Sequence, residues 1–222
     1  MKPAFLRFPG GCVLEHRDFR RWLDWKRTVG PLERRECEVG LWSWTQSFGL
    51  GYFEYFQWCE DAGMRPLPVV IAGVTCQCRP KERVCPEAGI DYFVRNALDL
   101  IAFATDAPDT EWGAGRAAMG HPAPFNLAYL QIGNENGGPR YEERYELMAK
   151  AVHAKYPDIK IIFDGPWSGR KDKDTWDVNA PTNFRDDHFY RSPDWFFYND
   201  MIYANAKERR LGKRDFGENV ST

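Results

Sequence analysis

Tyr129-Leu130-Gln131-Ile132-Gly133-Asn134-Glu135-Asn136 is the stretch on which the reading of this chain turns. Leu127, Tyr129 and Leu130 give it the apolar character of a buried strand, and Gly133-Asn134-Glu135-Asn136-Gly137-Gly138-Pro139 ends that strand in a glycine-rich turn. The turn delivers an amide and a carboxylate side by side at a strand end. In parallel α/β architectures reactive groups sit there, because helices wall off the flanks and only the loop face stays open. By itself Glu135 reads as a solvated loop acid. A second strand-end glutamate changes that reading: Arg214-Asp215-Phe216-Gly217-Glu218-Asn219-Val220 repeats the order of short strand, glycine and glutamate, 83 residues further on. Two such carboxylates are what glycoside hydrolysis needs, one to protonate the departing oxygen and one to attack or to activate water.

Working outward, apolar runs of strand length alternate with helix patterns. Ala4 to Phe8 is a short strand cut by Pro9-Gly10-Gly11, and Phe19 to Lys26 is helix-compatible but charged. Trp42, Trp44 and Phe48 precede Gly49-Leu50-Gly51 in what reads as a long loop on the active face. Tyr52 to Ala62 is a helix stopped by Gly63 and Pro66, and Leu67 to Gly73 is an apolar strand of the kind buried on both faces. Helix patterns follow at Asp91 to Ala104 and Tyr141 to Tyr156, a strand at Ile159 to Phe163, and a helix at Asp194 to Glu208 after a polar loop. Alternation of this kind, without linker or repeat, predicts one parallel α/β domain over residues 1–222. About six strands fit either an open, doubly wound sheet or part of a barrel. No Gly-x-Gly-x-x-Gly or phosphate loop supports a nucleotide-binding version.

Composition narrows the function. The 222 residues carry 30 basic and 32 acidic side chains, well mixed, for a net charge of −2, which gives no footprint for nucleic acid or an anionic membrane. No apolar run approaches the roughly 20 residues of a membrane helix. Aromatic residues make up 15%, enough for a large core with some to spare for a sugar-binding cleft. Of the six cysteines, Cys76-Gln77-Cys78 has the wrong spacing for a zinc knuckle and no histidine lies near Cys85, so the expectation is free thiols, no metal and no cofactor. Met1-Lys2-Pro3 leads straight into a strand without a visible signal peptide, which leaves the compartment open.

Leu6-Arg7-Phe8-Pro9-Gly10-Gly11, Trp25 to Pro31, Gly120 to Leu127 and Ile132-Gly133-Asn134-Glu135-Asn136 together resemble the family 51 glycoside hydrolases, retaining α-L-arabinofuranosidases, in the right order from Phe5 onward. The resemblance implies an eight-stranded (β/α)8 TIM barrel, here incomplete at about strands two to seven and without the family's accessory β-sandwich. It implies Glu135 as acid/base at the end of strand four and Glu218 as nucleophile at the end of strand seven. It implies Asn134, His188, Tyr190, Trp42 and Cys12 as substrate-binding residues, with Cys12 on the pocket floor. Asn219 departs from the family, which places an aromatic residue after the nucleophile. The substrate implied is an arabinose-containing polysaccharide or oligosaccharide, and homo-oligomers occur in the family. A truncated or inactive member with weak sugar binding, or another retaining glycosidase of the same clan, are the alternatives. Leu6 to Gly11 and Gly120 to Leu127 favour the arabinofuranosidase.

Overall fold

A computed structural model describes residues 3–78, 84–165 and 178–199. The elements run β1 (Phe5–Phe8), α1 (Cys12–Glu15), β2 (Cys37–Val39), β3 (Thr45–Ser47), α2 (Tyr52–Ala62), β4 (Arg65–Val70), α3 (Ile90–Thr105), α4 (Glu111–Ala118), β5 (Tyr129–Ile132), α5 (Pro139–Lys155), β6 (Lys160–Asp164), β7 (Phe184–Asp186) and α6 (Pro193–Tyr198). Five of the strands form one sheet in the order β1-β4-β5-β6-β7, every neighbouring pair parallel. The spatial order never reverses. A doubly wound sheet turns back at a switch point, whereas a (β/α)8 barrel adds each strand beside the last, so this sheet is a half-barrel. No helix among the described residues is long and apolar enough to cross a membrane.

Side-chain chemistry explains the layers. Val69, Val70, Leu130, Ile132, Ile161 and Phe163 are buried, as expected where helices cover one face of a parallel sheet and the barrel interior the other. Against the outer face pack Phe53, Phe56 and Cys59 of α2, Ala97, Leu100 and Ile101 of α3, and Tyr145, Met148 and Val152 of α5. Helix α2 starts where the Glu54 carboxylate accepts the Gly51 N–H at 2.9 Å, and stops at Gly63, whose left-handed φ of 65° lets Met64 N–H reach back to Cys59 O. Pro139 opens α5 at a position where its missing N–H costs nothing.

Two side chains tie elements together at the loop face. Tyr141 of α5 donates its hydroxyl to Ile132 O at 2.7 Å and accepts Asp164 N–H at 3.0 Å, joining the ends of β5 and β6. Arg116 of α4, fully buried, donates to the carbonyls of Phe103, Asp106, His121 and Pro122. It locks the end of α3 to the segment that leads into β5.

The expected strands at 4–8, 67–73, 127–132 and 159–163 and the helices at 52–62, 91–104 and 141–156 are all present within a residue or two at most ends. Differences have local causes. Residues 19–24 form no helix, and one 3-10 turn at Trp25–Thr28 follows, capped by the Asp24 side chain. The expected active-face loop holds the antiparallel hairpin β2–β3. Helix α4 and strand β7 lie in stretches read as loop. The strand expected around Glu218, and the expected helix beyond Asn199, lie outside the described residues.

Replacing Tyr141 by Phe removes one donor and one acceptor while leaving a buried carbonyl and a buried N–H behind. We expect Tyr141→Phe to lose about 1–3 kcal/mol of stability, measured as a lower urea midpoint with an unchanged far-ultraviolet circular dichroism spectrum.

Candidate active site

Everything at the loop face is arranged around the turn after β5. Gly133 takes φ 89°, and a Cβ there would lie 2.7 Å from the Tyr141 ring, so the turn needs glycine. Glu135 also sits in the left-handed region, at φ 53°, a conformation that a non-glycine residue keeps only when its surroundings enforce it. Buried acids supply that enforcement. Glu15 accepts Asn134 N–H at 3.1 Å and Asn136 Nδ2 at 3.3 Å, and Asp164 accepts Asn136 N–H at 2.6 Å. Burial, reinforced by the Asp164 charge, pushes the Glu15 carboxyl well above the usual glutamate range, and burial pushes Asp164 up to about 7.

The turn aims Glu135 at three partners. Its Oε2 accepts from Gln77 Nε2 at 2.9 Å, and its Oε1 faces His188 Nδ1 at 3.1 Å and accepts the Tyr190 hydroxyl. The residue is only 6% exposed. Burial opposes its ionisation, yet the hydrogen bonds from Tyr190, His188 and Gln77 outweigh burial and hold the carboxyl below the usual glutamate range. His188 bridges onward, with Nε2 3.0 Å from Asp186 Oδ2. An imidazole between two carboxylates holds its proton: the hydrogen bond to Asp186, opposed by burial, raises His188 to about 9, so both ring nitrogens donate near neutrality. Asp186 also meets Arg7 Nε at 3.2 Å.

Asn134 is held just as firmly. Its Oδ1 accepts Arg7 Nη2 at 2.8 Å and Gly11 N–H at 2.9 Å, while its buried Nδ2 has no hydrogen-bond partner among the described residues. An orphaned buried donor costs about 1–3 kcal/mol until an acceptor reaches it. Next to these groups opens a pocket of about 340 Å³ lined by Arg7, Asp186, Asp187, His188, Phe189 and Tyr190. A shallow, open pocket lined by a cation, two carboxylates, an imidazole and two aromatic rings suits a polyhydroxylated ligand.

Residues 1–209 match the family described as the alpha-L-arabinofuranosidase 1 domain. The chain belongs to the family 51 α-L-arabinofuranosidases. It is 40% identical to an extracellular exo-alpha-L-arabinofuranosidase of Streptomyces chartreusis, over 100% of this chain and 28% of that protein, and 36% identical to alpha-L-arabinofuranosidase 1 of Arabidopsis thaliana, over 97% and 30%. An arabinose-bound family 51 α-L-arabinofuranosidase structure superimposes with a TM-score of 0.80 at 32% identity, over 91% of this chain and 31% of that one. The chain thus spans less than a third of the length of these relatives.

Of the residues expected to serve the family 51 site, the fold brings Asn134, Glu135, His188 and Tyr190 together. Cys12 begins α1 beside Gly11, whose N–H binds Asn134, and is therefore near the same rim. Trp42 is 42% exposed in the β2–β3 hairpin, which excludes a core role, and adjoins Leu41, packed with Cys12 and Cys76. Glu218 lies outside the described residues. Sequence reasoning gave no site role to Arg7, Glu15, Gln77, Gln131, Asp164 and Asp186. Asp164 carried a usable signal, since it too is an acid at the end of an apolar strand followed by Gly-Pro. Among the described residues the hydrogen bonds to Glu135 come from donors, which favour its ionised form.

Because the folded state holds the His188 proton above the ordinary 6.5, it binds more protons than the unfolded chain between pH 6.5 and about 9. Its stabilising contribution is complete below 6.5 and is lost as the pH rises through 9. An NMR titration of His188 is expected to show a midpoint near 9, and Asp186→Asn to bring it down toward 6.5.

Proposed function

We propose that the chain is a single, partial glycosidase catalytic domain that releases terminal α-L-arabinofuranosyl residues from arabinan or arabinoxylan side chains, with retention of configuration. Glu135 protonates the departing glycosidic oxygen while Glu218 attacks the anomeric carbon, giving a glycosyl ester and a free alcohol. Glu135, now ionised, then deprotonates a water that cleaves the ester, releasing arabinose and restoring both carboxyls. Asn134 Nδ2 donates to the sugar 2-hydroxyl, a bond that strengthens as positive charge develops at the ring. His188 and Tyr190 orient Glu135 and favour its ionised form, the form that the second step requires. A carboxylate at Glu218 counters them by raising Glu135 toward the acid form required for the first step. Trp42 and Cys12 complete the wall and floor of the sugar pocket.

The observation that carries this reading is the pairing of a buried, left-handed Glu135 with the Asn134 Nδ2 donor, which has no partner among the described residues, at the end of a barrel strand. Family membership and the names of the relatives support the substrate class. A second reading, sugar binding without turnover, is favoured by one fact: the chain spans less than a third of its relatives' length.

Hydrolysis of 4-nitrophenyl α-L-arabinofuranoside by the purified chain tests the proposal. Glu135→Ala and Glu218→Ala are each expected to lose about 10²–10⁴-fold in kcat/KM; equal activity in Glu135→Ala would defeat the assignment. A folded chain that binds arabinose without turning over the aryl glycoside would leave the second reading. Faster cleavage of an aryl β-xyloside would point to another glycosidase of the clan. Tyr190→Phe removes a donor to the carboxylate and is expected to move the basic limb of the pH–rate profile upward.

A further inference from the structure

Beside the carboxylate network, three cysteines converge from two strand ends. Cys12 follows β1 through Gly10-Gly11, while Cys76 and Cys78 lie in the turn after β4. Because β1 and β4 pair in parallel, their C-terminal loops emerge side by side. The three sulfurs lie within 4.8 Å of one another. Cys76 is fully buried and Cys12 is 8% exposed, both packed on Leu41, whereas Cys78 is exposed. The cluster therefore has a dry floor and a mouth open to solvent. Cys78 N–H also points at Cys76 Sγ, 3.5 Å away, the kind of contact that stabilises a metal-bound thiolate.

We propose that Cys12, Cys76 and Cys78 form a three-thiolate site for a thiophilic d10 cation of the Zn²⁺ class. Soft sulfur donors select such ions over Mg²⁺ or Ca²⁺. In a tetrahedral site with Zn–S of about 2.3 Å the sulfurs stand about 3.8 Å apart, so the cluster needs to close on an ion by about 1 Å at most. Cys78, exposed at the end of its turn, has the freedom to supply that movement. The Cys-x-Cys spacing argued against a zinc knuckle because a knuckle takes two ligands from one Cys-x-x-Cys turn. Here the third sulfur comes from another strand end, and that restriction no longer applies. Each ligating thiol gives its proton to solvent, so three bound thiolates and one dication leave a net charge of −1, with the fourth position open to water.

The position of the site gives it a consequence. Gln77, between the two paired ligands, donates to Glu135 Oε2 at 2.9 Å. Closing Cys76 and Cys78 on an ion therefore moves or fixes a direct partner of Glu135. The ion has no part in the two-glutamate hydrolysis, but it takes Cys12 from the floor of the proposed sugar pocket, so metal and sugar compete there; metal binding is read without turnover.

The test is titration of the reduced, metal-free chain with Co²⁺, read by its sulfur-to-metal charge-transfer absorption, and then displacement by Zn²⁺. One equivalent of Co²⁺ is expected to produce the band and one of Zn²⁺ to remove it. Cys78→Ser, at an exposed position that does not threaten folding, and Cys12→Ser are expected to abolish it, while Cys37→Ser, exposed on β2, leaves it unchanged. A folded, reduced chain without the band overturns the proposal, as does a band that survives both Cys12→Ser and Cys78→Ser.

Discussion

Two buried acids holding one turn is the constraint from which the rest of this site follows. The chain reverses after β5 through left-handed backbone at Gly133 and Glu135, which leaves the N–H groups of Asn134 and Asn136 facing the barrel interior. Water does not reach them, and no strand carbonyl is placed to receive them. Glu15, from the short helix after β1, and Asp164, from the end of β6, fill that need. The arrangement is costly, because burial pushes both carboxyls up and the Asp164 charge pushes Glu15 further, yet losing either would orphan a backbone donor. The position of Glu135 thus depends on residues about 30 and 120 positions away in the sequence.

Around that turn, charge alternates so that no buried ion stands alone. Glu135 meets His188, His188 meets Asp186, and Asp186 meets Arg7, which ends on the Gln131 and Asn134 side-chain oxygens. Gln131 closes the circuit by donating to Asp164 and Asp186. A pocket built this way can hold an ionised carboxylate in a nearly dry place without an external counter-ion. It also fixes orientations, because every member is held from at least two sides.

The sequence made the long apolar runs legible. Residues 67–73, 127–132 and 159–163 had to be buried strands, and their parallel order followed from the helices between them. Strand β7 escaped because Phe-Arg-Asp has no apolar pattern; its extended form comes from pairing with β6, a contact that no local window contains. Helix α4 escaped because Gly113 and Gly115 weaken its local preference, and the Thr110 cap and the Arg116 anchor restore it. At the site, Asn134, Glu135, His188 and Tyr190 could be read because they sit in motifs. Glu15 and Arg7 could not, since each looks like a surface charge until the fold closes over it. Gln77 lacked even a charge to mark it.

Arg116 sets a different kind of limit. One guanidinium donates to four carbonyls from two stretches, 103–106 and 121–122, and a planar fork leaves no slack in any of them. The segment between α4 and β5 therefore has a fixed length. An insertion at residues 120–123 would detach carbonyls from a buried cation, whereas the exposed turn of the β2–β3 hairpin could lengthen freely. Among descendants of this fold, changes of loop length should gather at the β2–β3 hairpin and avoid the approach to β5, so that the outer loops can drift while the registration of Glu135 cannot.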